Sequence, residues 1–117
     1  MALRCLIVDD SEEFLASASR LLESQGLEIV GRASSGQEAV RLADELRPDV
    51  ALVDVQLGEE DGLEVTRQLS AGGRPIAVVL ISTHSQDDVA ELITESPAVG
   101  FLPKTALSAV AIDDLVG

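Results

Sequence analysis

Leu3-Arg4-Cys5-Leu6-Ile7-Val8, closed by Asp9-Asp10, is the stretch on which the reading of the fold turns. Apart from Arg4 it is a continuous apolar run, the pattern of a strand covered on both faces. Four more strand-like segments follow, at Glu28–Arg32, Val50–Val55, Ile76–Ile81 and Val99–Leu102. Those beginning at Val50 and Ile76 are aliphatic runs of the same kind.

Between these segments the apolar period lengthens to that of a helix. Phe14, Leu15, Ala18, Leu21 and Leu22 form one stripe, ended by Gly26. Ala39, Val40, Ala43 and Leu46 form a second, opened by a capping box from Ser35 to Glu38 and stopped before Pro48. Leu63, Thr66 and Leu69 make a third, after Gly62. Val89, Leu92 and Ile93 make a fourth, and Leu107, Val110, Ala111 and Leu115 a fifth. Strands alternating with helices predict an α/β fold with a parallel sheet, whose crossovers are right-handed. The alternation fits a doubly wound (βα)5 sandwich of strand order 2-1-3-4-5, flavodoxin-like, with residues 1–117 forming one domain.

The chain has 117 residues, a size typical of one domain. It is 46% hydrophobic with only two aromatic residues, so its core is aliphatic. A formal charge of −13 argues against direct contact with nucleic acid or an anionic membrane, both polyanions. It suits a soluble protein that meets cations or basic protein surfaces, the alternative being that the charge serves solubility alone. The single cysteine, Cys5, excludes an internal disulfide and reads as a buried, inert thiol. No apolar run reaches the roughly 18 residues of a membrane span, and no signal peptide is recognisable, so the expected location is cytoplasmic.

In an open parallel sheet, chemistry gathers beyond the carboxyl ends of the strands. There the first strand presents Asp9 and Asp10, the third Asp54, the fourth Ser82 and Thr83, and the fifth is followed by Lys104. The predicted order makes these strands neighbours, so the groups converge on one pocket. Acidic residues at strand ends commonly cap a helix or meet solvent, and Asp10 with Glu13 could do no more than that. The lysine makes the coincidence harder to dismiss. Every other basic side chain in the chain is arginine, and the one lysine stands where a point charge on a flexible stem can reach an anion. Three crowded carboxylates need a cation, and an all-oxygen set suits Mg²⁺ or Mn²⁺. A carboxylate can also attack phosphorus to give an aspartyl-phosphate, with neighbouring positive groups and a hydroxyl stabilising the transferred group.

Taken together, Leu6-Ile7-Val8-Asp9-Asp10, Leu52-Val53-Asp54, Gly62, Leu80-Ile81-Ser82-Thr83 and Gly100-Phe101-Leu102-Pro103-Lys104 resemble the receiver domains of two-component response regulators. The resemblance covers essentially the whole chain. It implies that Asp54 is the phosphoacceptor. Asp9, Asp10, Asp54 and the backbone carbonyl of Gln56 would hold the metal. Ser82 and Phe101 would be the switch pair, with Phe101 turning inward from an exposed rotamer, the alternative being that Phe101 is a permanent core residue, and Lys104 would contact the phosphoryl group. The last strand and its loop are most similar to receivers of LuxR-type regulators. The implied role is a regulatory phosphoacceptor rather than an enzyme, though one that takes part in its own phosphorylation and dephosphorylation. A sensor histidine kinase would be the donor. A downstream protein, or a second copy, would bind at the face of the fourth helix, fifth strand and fifth helix, or at the face of the first and fifth helices.

The chain departs from the family pattern at several places. Thr105 follows the lysine, where a proline in a cis bond is frequent. Gly58 replaces a frequent proline and precedes Glu59-Glu60-Asp61, which reads as a solvated loop, with a second weak cation site as the alternative. Thr83 is larger than the usual small residue and is expected to narrow access. His84, the one histidine, lies on a loop and reads as an influence on dephosphorylation rather than as a relay residue. Two rival readings are an aspartate-nucleophile phosphatase of the haloacid-dehalogenase type and a flavodoxin-like cofactor binder. The first wants a second aspartate where this chain has Gln56, and the second wants a Ser/Thr-rich phosphate loop after the first strand.

Overall fold

A computed structural model describes residues 3–71, 76–83, 94 and 96–116. Its main sheet has five parallel strands: β1 (Arg4–Val8), β2 (Glu28–Ala33), β3 (Val50–Asp54), β6 (Ala77–Ser82) and β7 (Gly100–Pro103), in the order β2-β1-β3-β6-β7. This is the 2-1-3-4-5 arrangement expected from the alternation. Each strand lies within a residue of its predicted bounds. The register sets Val8 beside Val53, Asp54 beside Ile81 and Ser82 beside Pro103, so the carboxyl ends of four strands finish at one edge.

Among the described residues the fully bounded α-helices are α1 (Glu12–Ser24), α2 (Gly36–Leu46), α3 (Gly62–Ser70) and α4 (Ala109–Val116). Ser11 caps α1 by accepting from the Phe14 amide. Half of the predicted capping box opens α2, Ser35 Oγ accepting from Glu38 N at 3.2 Å, while Glu38 Oε1 accepts at 2.8 Å from Ser34 N, one residue before the cap. Arg47 ends that helix in the left-handed conformation, φ 51°, just before Pro48.

Central strands that read as continuous apolar runs are indeed covered twice. On one face Leu6, Val8, Ala51, Val53, Val78 and Leu80 pack with Ala39 and Ala43 of α2 and Leu63, Val65 and Leu69 of α3. On the other, Cys5, Ile7, Val50, Leu52, Val79 and Ile81 pack with Leu15, Ala18 and Leu22 of α1 and Ile112 of α4. Burial pushes the Cys5 thiol from its ordinary 9.0 up to about 12, which keeps it protonated and inert.

Several expectations need correction. Leu21 is exposed, and the core side of α1 includes Ser19, whose hydroxyl donates to the Leu15 carbonyl at 2.6 Å. The last helix is turned relative to its predicted stripe. Val110 is 72% exposed, Ile112 is buried, and Leu107 precedes the helix. That segment carries apolar residues around much of its circumference, so its period does not fix a phase.

Phe101 is the larger change. Of its two readings the structure shows the core residue and not the favoured exposed rotamer: Phe101 is 7% exposed, packed in the core with Val78 and Leu80. A β-hairpin absent from the predictions, β4 (Gln56–Leu57) and β5 (Glu60–Asp61), follows β3. The fourth predicted stripe (Val89, Leu92, Ile93) and His84 lie outside the described residues.

Candidate functional site

Asp9 sits one residue past β1 and is fully buried, its amide donating to the Ala33 carbonyl at 3.0 Å. Asp54 ends β3 and is 7% exposed, while Asp10 is open to solvent. The three carboxylates offer oxygens that all lie within 4.8 Å of one another. Among the described residues, Asp10, Asp54, Gln56, Gly58, Ser82, Thr83 and Lys104 line a cavity of about 300 Å³ over this edge of the sheet. The structure thus brings together every site residue predicted from the strand ends. Phe101 lies apart, in the core beneath.

Lys104 is the cation among them. Its Nζ donates to Asp54 Oδ2 at 3.0 Å and lies 2.6 Å from Asp9 Oδ2. Burial works against the ammonium charge, but the contacts and charges of Asp9 and Asp54 outweigh it, and the lysine's pKa rises above its ordinary value. The approach to Asp9 is off the directions of a hydrogen bond. Asp9 Oδ2 is therefore buried without a hydrogen-bond partner among the described residues, balanced by charge alone. A buried carboxylate oxygen so placed, with two further carboxylates in reach, suits a divalent cation. The other oxygens are held by backbone: Asp9 Oδ1 accepts from Ser11 N at 2.9 Å, and Asp54 Oδ1 from Gln56 N at 3.0 Å.

The loop after Asp54 owes its shape to glycines. Gly58 has φ 60°, at the position where a type II′ hairpin turn takes glycine, and proline could not adopt that angle. The frequent proline of the family is thus incompatible with the hairpin seen here. Gly62 is required by contact instead, since a Cβ there would lie 2.0 Å from the Asp54 carbonyl oxygen.

Glu60 and Asp61 are exposed, as a solvated loop implies, yet both have definite work. Both carboxylate oxygens of Glu60 lie 3.1 Å from Gly36 N at the start of α2, where the helix dipole favours an anion. Asp61 caps α3 by accepting from Leu63 N at 3.0 Å. Among the described residues these acids form no second carboxylate cluster. Thr83 is exposed on the cavity wall, and no peptide bond among the described residues is cis, that before Thr105 included.

Sequence reading also missed a partner of Lys104. The Phe14 ring, assigned only to the apolar stripe of α1, has its centroid 4.4 Å from Lys104 Nζ.

The family model of the response regulator receiver domain matches residues 5–114. The chain belongs to this family. The receiver is 35% identical over 112 residues to the transcriptional regulatory protein LiaR of Bacillus subtilis, a match covering 95% of the receiver and 53% of LiaR. To the response regulator GacA of Pseudomonas viridiflava it is 36% identical over 105 residues, 89% of the receiver and 49% of GacA. The receiver thus spans about half the length of these relatives. Among solved structures, the signal receiver domain of NarL from Mycobacterium tuberculosis superposes with a TM-score of 0.85 at 30% identity, covering 99% of this chain and 98% of that one. A LuxR-family response regulator from Aurantimonas gives 0.88 at 26% identity, covering 99% and 86%. The receiver is a phosphoacceptor module of the two-component type, and the family match leaves the phosphatase reading without support. Among the described residues no helix is long and apolar enough to cross a membrane.

Proposed function

We propose that Asp54 accepts a phosphoryl group from the phosphohistidine of a sensor kinase, and that the phosphorylated receiver binds its downstream partner differently. The observation that carries this reading is the Asp54 carboxylate at the cavity edge, held by Lys104 at 3.0 Å and adjoined by Asp9 and Asp10. In the transfer, an Asp54 oxygen forms a bond to phosphorus as the phosphorus–nitrogen bond breaks and the imidazole nitrogen leaves with its electron pair. Lys104 would follow the developing charge onto the phosphoryl oxygens, and the Ser82 hydroxyl, on the same cavity wall, would donate to one of them. Asp9, Asp10, Asp54 and the Gln56 carbonyl would hold Mg²⁺ or Mn²⁺. Bound there, the ion supplies positive charge to the same oxygens and offsets the crowding of the carboxylates.

Acetyl phosphate with Mg²⁺ should add one phosphoryl group, read by intact mass. Asp54→Asn should abolish the gain, because an amide is not a competent nucleophile. Excess chelator should stop it as well. Labelling of the Asn variant at the parental rate would overturn the assignment of the acceptor.

A further inference from the structure

Phe14 closes a circuit of four residues. Asp9 Oδ1 accepts from Ser11 N at 2.9 Å, and Ser11 Oγ accepts from Phe14 N at 3.3 Å. The Phe14 ring faces Lys104 Nζ at 4.4 Å, and that nitrogen returns to Asp9 Oδ2 at 2.6 Å. The cap that opens α1 is thereby tied to the position of the site's cation. An ammonium within about 6 Å of a ring centroid is drawn to the negative face of the ring, more strongly where water is excluded. Lys104 meets that condition, its side chain being only 15% exposed.

The stripe residues that α1 packs into the core, Leu15, Ala18 and Leu22, are 6%, 3% and 0% exposed. Phe14 is only half-buried, at the margin of that cluster, with its face toward the site. We propose that Phe14 is a positioning residue for Lys104, its ring holding the ammonium over the Asp9–Asp54 pair where the phosphoryl oxygens arrive. The proposal rests on the reading of Asp54 as acceptor for its consequence, but not for its geometry. A lysine stem samples many rotamers. With two carboxylates and the ring face all against it, the ammonium is held in place before transfer begins.

The test exploits the single lysine of the chain, whose ε-methylene signal is unambiguous in protein labelled on lysine alone. Under the Phe14 ring face that signal should lie upfield of free lysine, and it should be measured without phosphoryl donor. Phe14→Leu keeps apolar bulk and helix propensity but removes the ring. It should return the signal toward the free position and slow labelling by acetyl phosphate about two- to fivefold, with Mg²⁺ affinity unchanged. Phe14→Tyr, which keeps the ring face, should recover both readouts relative to Phe14→Leu. A leucine variant with the parental signal and rate would overturn the proposal, as would a fall in Mg²⁺ affinity that accounts for the slower rate. A tyrosine variant as impaired as leucine would do the same. Parental protein that took up no phosphoryl group would sink the acceptor reading alone, since the lysine signal is decided without it.

Discussion

Asp9 shows how the site balances its charges. The residue is fully buried, and among the described residues its Oδ2 has no hydrogen-bond partner and Lys104 is the one cation against it. Removing one member of a buried ion pair costs about 3–5 kcal/mol, because the other charge is left uncompensated. Lys104→Ala should therefore lower the melting temperature markedly in chelator. A divalent ion bound by Asp9, Asp10 and Asp54 would take over part of the compensation, and binding to the folded state alone stabilises it by mass action. Mg²⁺ should thus raise the melting temperature of Lys104→Ala by more than it raises that of the parental protein. Equal increments would show that Lys104 and the metal do not share the Asp9 charge. At this scale the sequence was informative where a residue was unusual in its own chain: one lysine among arginines, three aspartates at strand ends. Phe14 was not legible, because its helical spacing hands it to the core whether or not its ring also faces a cation.

Among the elements, the hairpin after Asp54 was hardest to foresee. Strands of two residues have no period to read, and Glu60 finds its partner in a backbone amide, Gly36 N, that no side-chain pattern records. Gly62 sits where this hairpin gives way to α3. A methyl group there would meet the Asp54 carbonyl oxygen at 2.0 Å and the Val55 backbone at 2.8 Å, atoms that cannot turn aside. Gly26, after α1, differs: its φ of 98° strains any L-residue, but a Cβ there would meet nothing within 4 Å. Gly26→Ala should cost about 1 kcal/mol of backbone strain. Gly62→Ala should cost about 1–3 kcal/mol or more from overpacking, and should slow phosphorylation by displacing the Asp54 backbone. Denaturant titration of both variants, with labelling rates alongside, separates the two effects. A Gly62→Ala variant with parental stability and labelling rate would mean that the contact at Gly62 relaxes freely.

Across the whole molecule, strand order and site were legible from one rule: continuous aliphatic strands alternating with helices make a doubly wound sheet, and its chemistry lies beyond the strand ends. The placement of Phe101 was not, since nothing in the pattern Gly100-Phe101-Leu102-Pro103 distinguishes an exposed ring from a core one. In the parallel pair β6–β7, Leu80 lies beside Phe101 and Ser82 beside Pro103. Side chains alternate between faces along a strand, so Ser82 and Phe101 share one face as diagonal neighbours. Ser82 lines the cavity, and Phe101 is packed inward below it. If Asp54 is the acceptor, a phosphoryl group there would add acceptor oxygens that the Ser82 hydroxyl can meet, which would draw the end of β6 toward the site and favour the inward ring beside it. A ligand shifts a conformational equilibrium only through differential contact of this kind. Beryllofluoride, as a phosphoryl mimic, should therefore increase the protection of β7 amides (Gly100–Leu102) in hydrogen exchange, and Ser82→Ala should remove the increase while leaving protection around Asp9 and Asp54. Protection that rose equally in Ser82→Ala, or that stayed within the loops at Asp9, Asp54 and Lys104, would show that the charge at Asp54 does not reach Phe101 through Ser82.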